Sequence, residues 1–160
     1  MHRRIVRGSM AVLMLIAASQ AMAAAPQHMV TGNAEVESEG LVFRATVVAQ
    51  RDSDGHVWGI LAITFDFTDF GLGHVTATAP VTCLEVDGDR AWIGSIVKTS
   101  TNPDVIPIGA PAITLVRDLG GEGEDTLHIE PEEAFPAGTT CSDKPAILES
   151  VVRSGNFRVN

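Results

Sequence analysis

The feature that most constrains this fold is an apolar alternation of period two, broken at short intervals by turn residues. It is clearest over residues 41–50. There Leu41, Phe43, Ala45, Val47 and Ala49 share one face, while Arg44, Thr46 and Gln50 share the other. Val42 and Val48 soften that polar face. Residues two apart point the same way only in an extended chain, so the pattern requires a half-buried strand. The next segment, His56–Phe67 (HVWGILAITFDF), is the longest apolar run after residue 23 and reads as a central strand. Gly59 in its middle marks a bulge or a close approach by a neighbour.

The remaining segments follow the same grammar. Arg51-Asp52-Ser53-Asp54-Gly55 supplies a turn before the central strand, and Gly71-Leu72-Gly73 breaks the chain after it. Further strands are expected at 32–39, 74–79, 90–98, 111–118, 126–129, 147–152 and 156–159, with Ser154-Gly155 joining or kinking the last two. Pro80 interrupts a ladder, which makes 81–86 either a separate strand or the far side of a bulge. Asp87-Gly88-Asp89 is a hairpin turn, 99–109 is a loop, and 130–146, with its three prolines, is the longest irregular stretch. No segment has the spacing of an amphipathic helix. About eight antiparallel strands with short connections predict an all-β single domain, a small barrel or barrel-like sandwich. Its last strand is expected to pair near the first and remove the edges.

Residues 1–23 stand apart from this pattern. His2, Arg3, Arg4 and Arg7 precede the apolar run Met10–Ala18, and Ala21-Met22-Ala23 forms a small-x-small cleavage site. These are the parts of a secretory signal peptide, cut between Ala23 and Ala24. Ala23-Ala24-Ala25 would also serve. The run is too short for a permanent membrane span, and the lack of a nearby cysteine argues against a lipid anchor. Residues 24–31 read as a linker and 32–160 as the β-domain. The protein is expected to work in the periplasm or outside the cell. Losing the three leader arginines takes the formal charge from −9 to −12, because all the acidic residues lie beyond the leader. Such a chain is repelled by phosphate backbones and anionic lipid, which disfavours nucleic acid and membrane surfaces as partners. Two Trp, six Phe and no Tyr are too few aromatics for the girdles of an outer-membrane barrel.

Cys83 and Cys141 are the only thiols, and in an oxidising compartment they have one intramolecular pairing. A Cys83–Cys141 disulfide would pin the irregular 130–146 segment to a core strand. No Cys-x-x-Cys marks either as a redox centre.

The search for chemistry yields few candidates. His28, His56, His74 and His128 have no metal-ligand spacing, although the last three sit near strand ends. Asp52-Ser53-Asp54-Gly55 resembles the start of a calcium loop but lacks the later ligands, so it reads as a turn, as do Asp87 and Asp89. The acidic segment Glu122, Glu124, Asp125, Glu130, Glu132 and Glu133 reads as a solvated loop. Asp66 and Asp69 are the best-placed carboxylates for a glycosidase pair. Serine-hydrolase and metalloprotease motifs are missing, and Gly71-x-Gly73 is too short to cradle phosphate. No cofactor and no metal are expected.

One stretch carries a resemblance. Val81–Val97 (VTCLEVDGDRAWIGSIV) resembles a group of uncharacterised secreted bacterial β-rich proteins. They share a Val-Thr-Cys-Leu-x-Val strand, a Gly-Asn/Asp-Arg-Ala hairpin and an apolar run ending in Gly-Gly or Gly-Ser. The Gly55–Gly59 turn and strand, Val116–Glu122 and Ser154-Gly155-Asn156-Phe157-Arg158-Val159 fit as well. The resemblance implies a secreted β-domain and brings no catalytic residue, substrate or cofactor. Within it, Arg90 is expected to pair with Glu85 or to anchor the returning loop, and Gly94 to leave room beside Trp92 or Trp58. The leading expectation is therefore an exported, non-catalytic binding or structural module that takes a small apolar ligand or a protein partner. One alternative is a secreted hydrolase-like enzyme whose Asp, Glu or His side chains meet at strand ends. The other is an inhibitor or accessory subunit working through a strand edge.

Overall fold

The computed structural model describes residues 26–38, 40–120 and 124–160. The leader and its Ala23–Ala24 cleavage site lie outside the described residues. The described residues form nine strands: β1 Pro26–Ser38, β2 Leu41–Asp52, β3 Val57–Phe67, β4 Gly73–Asp87, β5 Arg90–Ile96, β6 Thr99–Ser100, β7 Pro111–Arg117, β8 Thr126–Pro131 and β9 Val152–Val159. Eight of them form one antiparallel sheet in the order β8-β7-β5-β4-β3-β2-β1-β9, and β6 adds to β4. The sheet curls until its outer strands meet at a Thr126–Val151 bridge, flanked by Leu127 N–H to Ser150 O and Val152 N–H to Asp125 O. The result is the barrel-like all-β domain that the alternation predicts. Among the described residues no helix is long and apolar enough to cross a membrane.

Several boundaries differ from expectation. Pro26–Thr31, expected within a linker, is the start of β1, because β2 is long enough to pair with it back to Asp52. Residues 147–151 contribute one bridge rather than a strand, whereas β9 runs without a break through Ser154-Gly155. Gly155 is there for a close approach: a Cβ on it would lie 2.1 Å from Asn33 O. Gly59 has the same role, since its Cβ would lie 2.1 Å from Val48 O.

Pro80 falls within one long, bent strand. Gly73–Pro80 of β4 pairs with β3, Val81–Asp87 pairs with β5, and the register slips between Val81 and Cys83. That slip has a consequence for the side chains. Val75, Ala77, Ala79 and Val81 point into the core; the next core residue is Leu84, so the parity has changed. The bulge thereby turns Cys83 outward. Where β3 no longer flanks β4, Arg51 takes over, donating to Leu84 O at 2.9 Å and to Glu85 at 2.8 Å.

The barrel interior is filled. Val30, Val36, Phe43, Val47, Leu61, Ile93, Val116, Leu127 and Phe157 form a continuous apolar cluster. A second, smaller cluster lies outside the sheet. Residues 132–150 strap across the outer face of β5 and β7 and cover Trp92, Ile113 and Leu115 with Phe135 and Ile147. This explains why β5 and β7 are buried on both faces while β2 alternates. The Cys83–Cys141 disulfide fastens the strap. Trp92 Nε1 donates to Pro145 O at 3.0 Å, and Lys144 pairs with Asp87 at 2.8 Å. Gly94 makes room for the sulfurs, not for a tryptophan, since a Cβ there would lie 2.4 Å from Cys83 Sγ. Arg90 anchors the returning segment through Glu149 at 3.0 Å, and Glu85 pairs with Arg51 instead.

Several carboxylates are held in their ionised form. The Arg117 guanidinium at 2.7 Å keeps the Asp89 carboxyl below the usual aspartate range. The Thr140 N–H and hydroxyl do the same for Asp143, and the Thr68 hydroxyl and N–H for Asp66. A carboxyl depressed in the folded state adds stability that is complete above its unfolded value, about pH 4, and disappears as pH falls through the folded value. The melting temperature should therefore be flat near neutrality and drop below about pH 4. Asp89→Asn should remove part of that drop in a pH series of thermal melts.

Candidate functional site

The chain brings chemistry-bearing side chains together at the mouth of the barrel. His128 and Glu130 are two apart on β8, so both face outward while Leu127 and Ile129 pack on the core. His128 Nε2 lies 3.0 Å from Glu130 Oε1. The bridge that closes the sheet sets Ser150 beside them, with its Oγ 3.0 Å from His128 Nδ1. Ser150 in turn reaches Ser38, at the end of β1, at 3.0 Å. Four half-buried polar groups thus form one chain, Glu130–His128–Ser150–Ser38.

Beside that chain is a cleft of about 420 Å³ lined by Ser38, Leu41, Phe43, Phe65, His128, Ile129, Glu130 and Leu148. Phe43 and Phe65, with ring centres 5.2 Å apart, line its inner wall. Leu148 stands at the rim with 74% of its surface exposed. An apolar wall with a few converging polar groups is the usual form of a small-ligand site. A larger cleft, about 610 Å³, follows the seam between β9 and the β7–β8 connection. Size does not decide between the two. Two of the seam's carboxylates are already used: Asp125 accepts from Leu119 and Phe157 N–H, and Asp118 from Gly120 and Val159 N–H. Comparison with family models, with curated proteins and with solved structures finds no match to this chain.

The other candidates stay apart. His56 pairs with Asp52 at 3.3 Å, His74 lies 3.7 Å from Asp66, and neither joins His128. Asp52, Asp54 and His56 do come close together. Their geometry is that of a turn, however, with Asp52 accepting from the N–H groups of Asp54 and His56. Asp66 accepts from Thr68, which makes it a turn residue rather than one of a facing carboxylate pair with Asp69. In the acidic segment, Glu122 lies outside the described residues. Asp125 is not solvated as expected but buried, and Glu130 belongs to the mouth. Ser150 and Ser38 have no local signature. Their only signal in the sequence is the His128-x-Glu130 spacing they assemble around.

Proposed function

We propose that this is an exported bacterial binding domain that takes a small, partly apolar molecule in the mouth cleft. The observation that carries it is the mouth cleft itself, where an apolar wall of Phe43, Phe65 and Leu148 meets the polar chain. The apolar core that occupies the barrel interior favours a surface recess for a ligand. Export is supported by the leader pattern at 1–23, by the disulfide and by the resemblance to secreted β-rich proteins. The negative charge favours neither nucleic acid nor anionic membranes. Strand addition has less support, because the open part of the β9 edge is short. Val152, Phe157 and Val159 N–H groups already have acceptors. A hydrolase-like reading is favoured by one observation, the serine–imidazole–carboxylate chain, and binding at the cleft is its first requirement.

An NMR titration with n-hexanol tests the binding. Resonances of Leu41, Phe43, Phe65 and Leu148 should move together and saturate, and Leu148→Asp should abolish the effect. Shifts that appear only at the seam around Asn156, or none at millimolar alcohol, would remove the mouth as the ligand site.

A further inference from the structure

We propose that Ser150, His128 and Glu130 are nucleophile, base and orienting carboxylate, and that they hydrolyse esters of short apolar acids held in the mouth cleft. The inference rests on the binding reading above and adds a reaction to it. A hydroxyl within hydrogen-bond reach of an imidazole, itself oriented by a third group, is the arrangement that activates a serine. Here both links measure 3.0 Å. Glu130 accepts the Nε2 proton and so fixes the tautomer whose Nδ1 lone pair faces Ser150. The two ring nitrogens are exchanged relative to the common serine-hydrolase arrangement, and either nitrogen of an imidazole can take a proton.

The polar chain is not required to close the barrel. Backbone bonds from Leu127 N–H to Ser150 O and from Val152 N–H to Asp125 O already do that. The bridge instead fixes the Ser150 backbone, which is what a nucleophile needs. The Ser150 hydroxyl points to Ser38. A hydroxyl rotates freely, so Ser150 can turn its proton toward Nδ1, and Ser38, which accepts from Ser150 and keeps its own O–H, can donate to a developing oxyanion. Leu41, Phe65 and Leu148 give the acyl chain an apolar wall.

The steps balance. Ser150 Oγ attacks the ester carbonyl carbon as its proton passes to His128 Nδ1. The bond to the alcohol oxygen breaks, and that oxygen leaves with the proton from Nδ1. Water then attacks the acyl-serine, giving a proton to Nδ1. The acid departs, and Ser150 regains its hydrogen.

The test uses p-nitrophenyl butyrate and a small alkyl fluorophosphonate on the disulfide-intact protein. The expected result is hydrolysis above buffer, falling on the order of 100-fold in Ser150→Ala and in His128→Gln. Phosphonylation should appear by mass on the Ser150 peptide of the unmutated protein and slow in His128→Gln. Glu130 is a positioning residue, so Glu130→Gln should lower kcat and leave KM unchanged. A folded, unmutated protein that neither turns over the ester nor takes the label overturns the inference, as does label placed on another residue. If hexanol still binds in that case, the binding reading stands without the reaction. Ser150-dependent turnover with no hexanol binding would keep the reaction and remove the mouth as its ligand site.

Discussion

Replacing both Cys83 and Cys141 by alanine is expected to lower the melting temperature by roughly 12 °C, which corresponds to about 4 kcal/mol. The bond closes a loop with a sequence separation of 58, long enough for cross-linking to restrict the unfolded chain strongly. The folded side contributes too. Without the bond, the strap over β5 and β7 keeps its small apolar cluster, the Trp92–Pro145 hydrogen bond, the Lys144–Asp87 pair and, at its far end, the contacts of Glu149 with Arg90 and Thr126. Trp92 lies under that strap, so its fluorescence should shift to the red before the far-ultraviolet dichroism of the sheet is lost. Dithiothreitol on the unmutated protein should reproduce both effects. Equal melting of oxidised and reduced protein would mean that the strap stands on its packing alone.

The second large effect is expected from Asp125→Ala, at about 3 kcal/mol. Asp125 is only 6% exposed, and its carboxylate accepts Phe157 N–H at 2.6 Å and Leu119 N–H at 3.0 Å. Those bonds do the work of a ladder along a seam where β8 and β9 share one bridge. Alanine leaves the buried Phe157 N–H without an acceptor, which costs its full desolvation, while the part-buried Leu119 N–H must turn to water. Asparagine keeps one acceptor and should recover part of the loss. Urea unfolding reads the result as a lower midpoint at unchanged slope. A change within about 0.5 kcal/mol would show that the backbone bridge alone holds the seam.

The regular half of the barrel was legible because each strand there has one face on the core, as β2 shows with Phe43, Ala45, Val47 and Ala49. Legibility fails where a residue answers to a neighbour distant in sequence. Gly155 reads as a break, yet it is a strand residue whose hydrogen in place of a Cβ lets β1 approach. Val30 is fully buried, but Met29 and Val30 lie side by side with no alternation around them to announce β1, so the segment reads as a linker. Proline at position 80 signalled either a bulge or an end, and only the partner strands β3 and β5 decide between them. The disulfide was readable from the cysteine count. The mouth was not, because His128 and Glu130 are an ordinary strand pair until Ser150 and Ser38 arrive from elsewhere.

The strand order also dictates how this chain can assemble. From β1 through β8 each long strand pairs with the one just before it, so a polypeptide emerging N-terminus first can lengthen a meander hairpin by hairpin, by quick local steps. The pairing of β1 with β9 breaks that rule, since it joins the first strand to the last. The outer edge of β1 therefore stays open, able to recruit a foreign strand, until β9 has been made and can reach it. In such a chain the hazardous interval is the wait between the making of β1 and the arrival of β9.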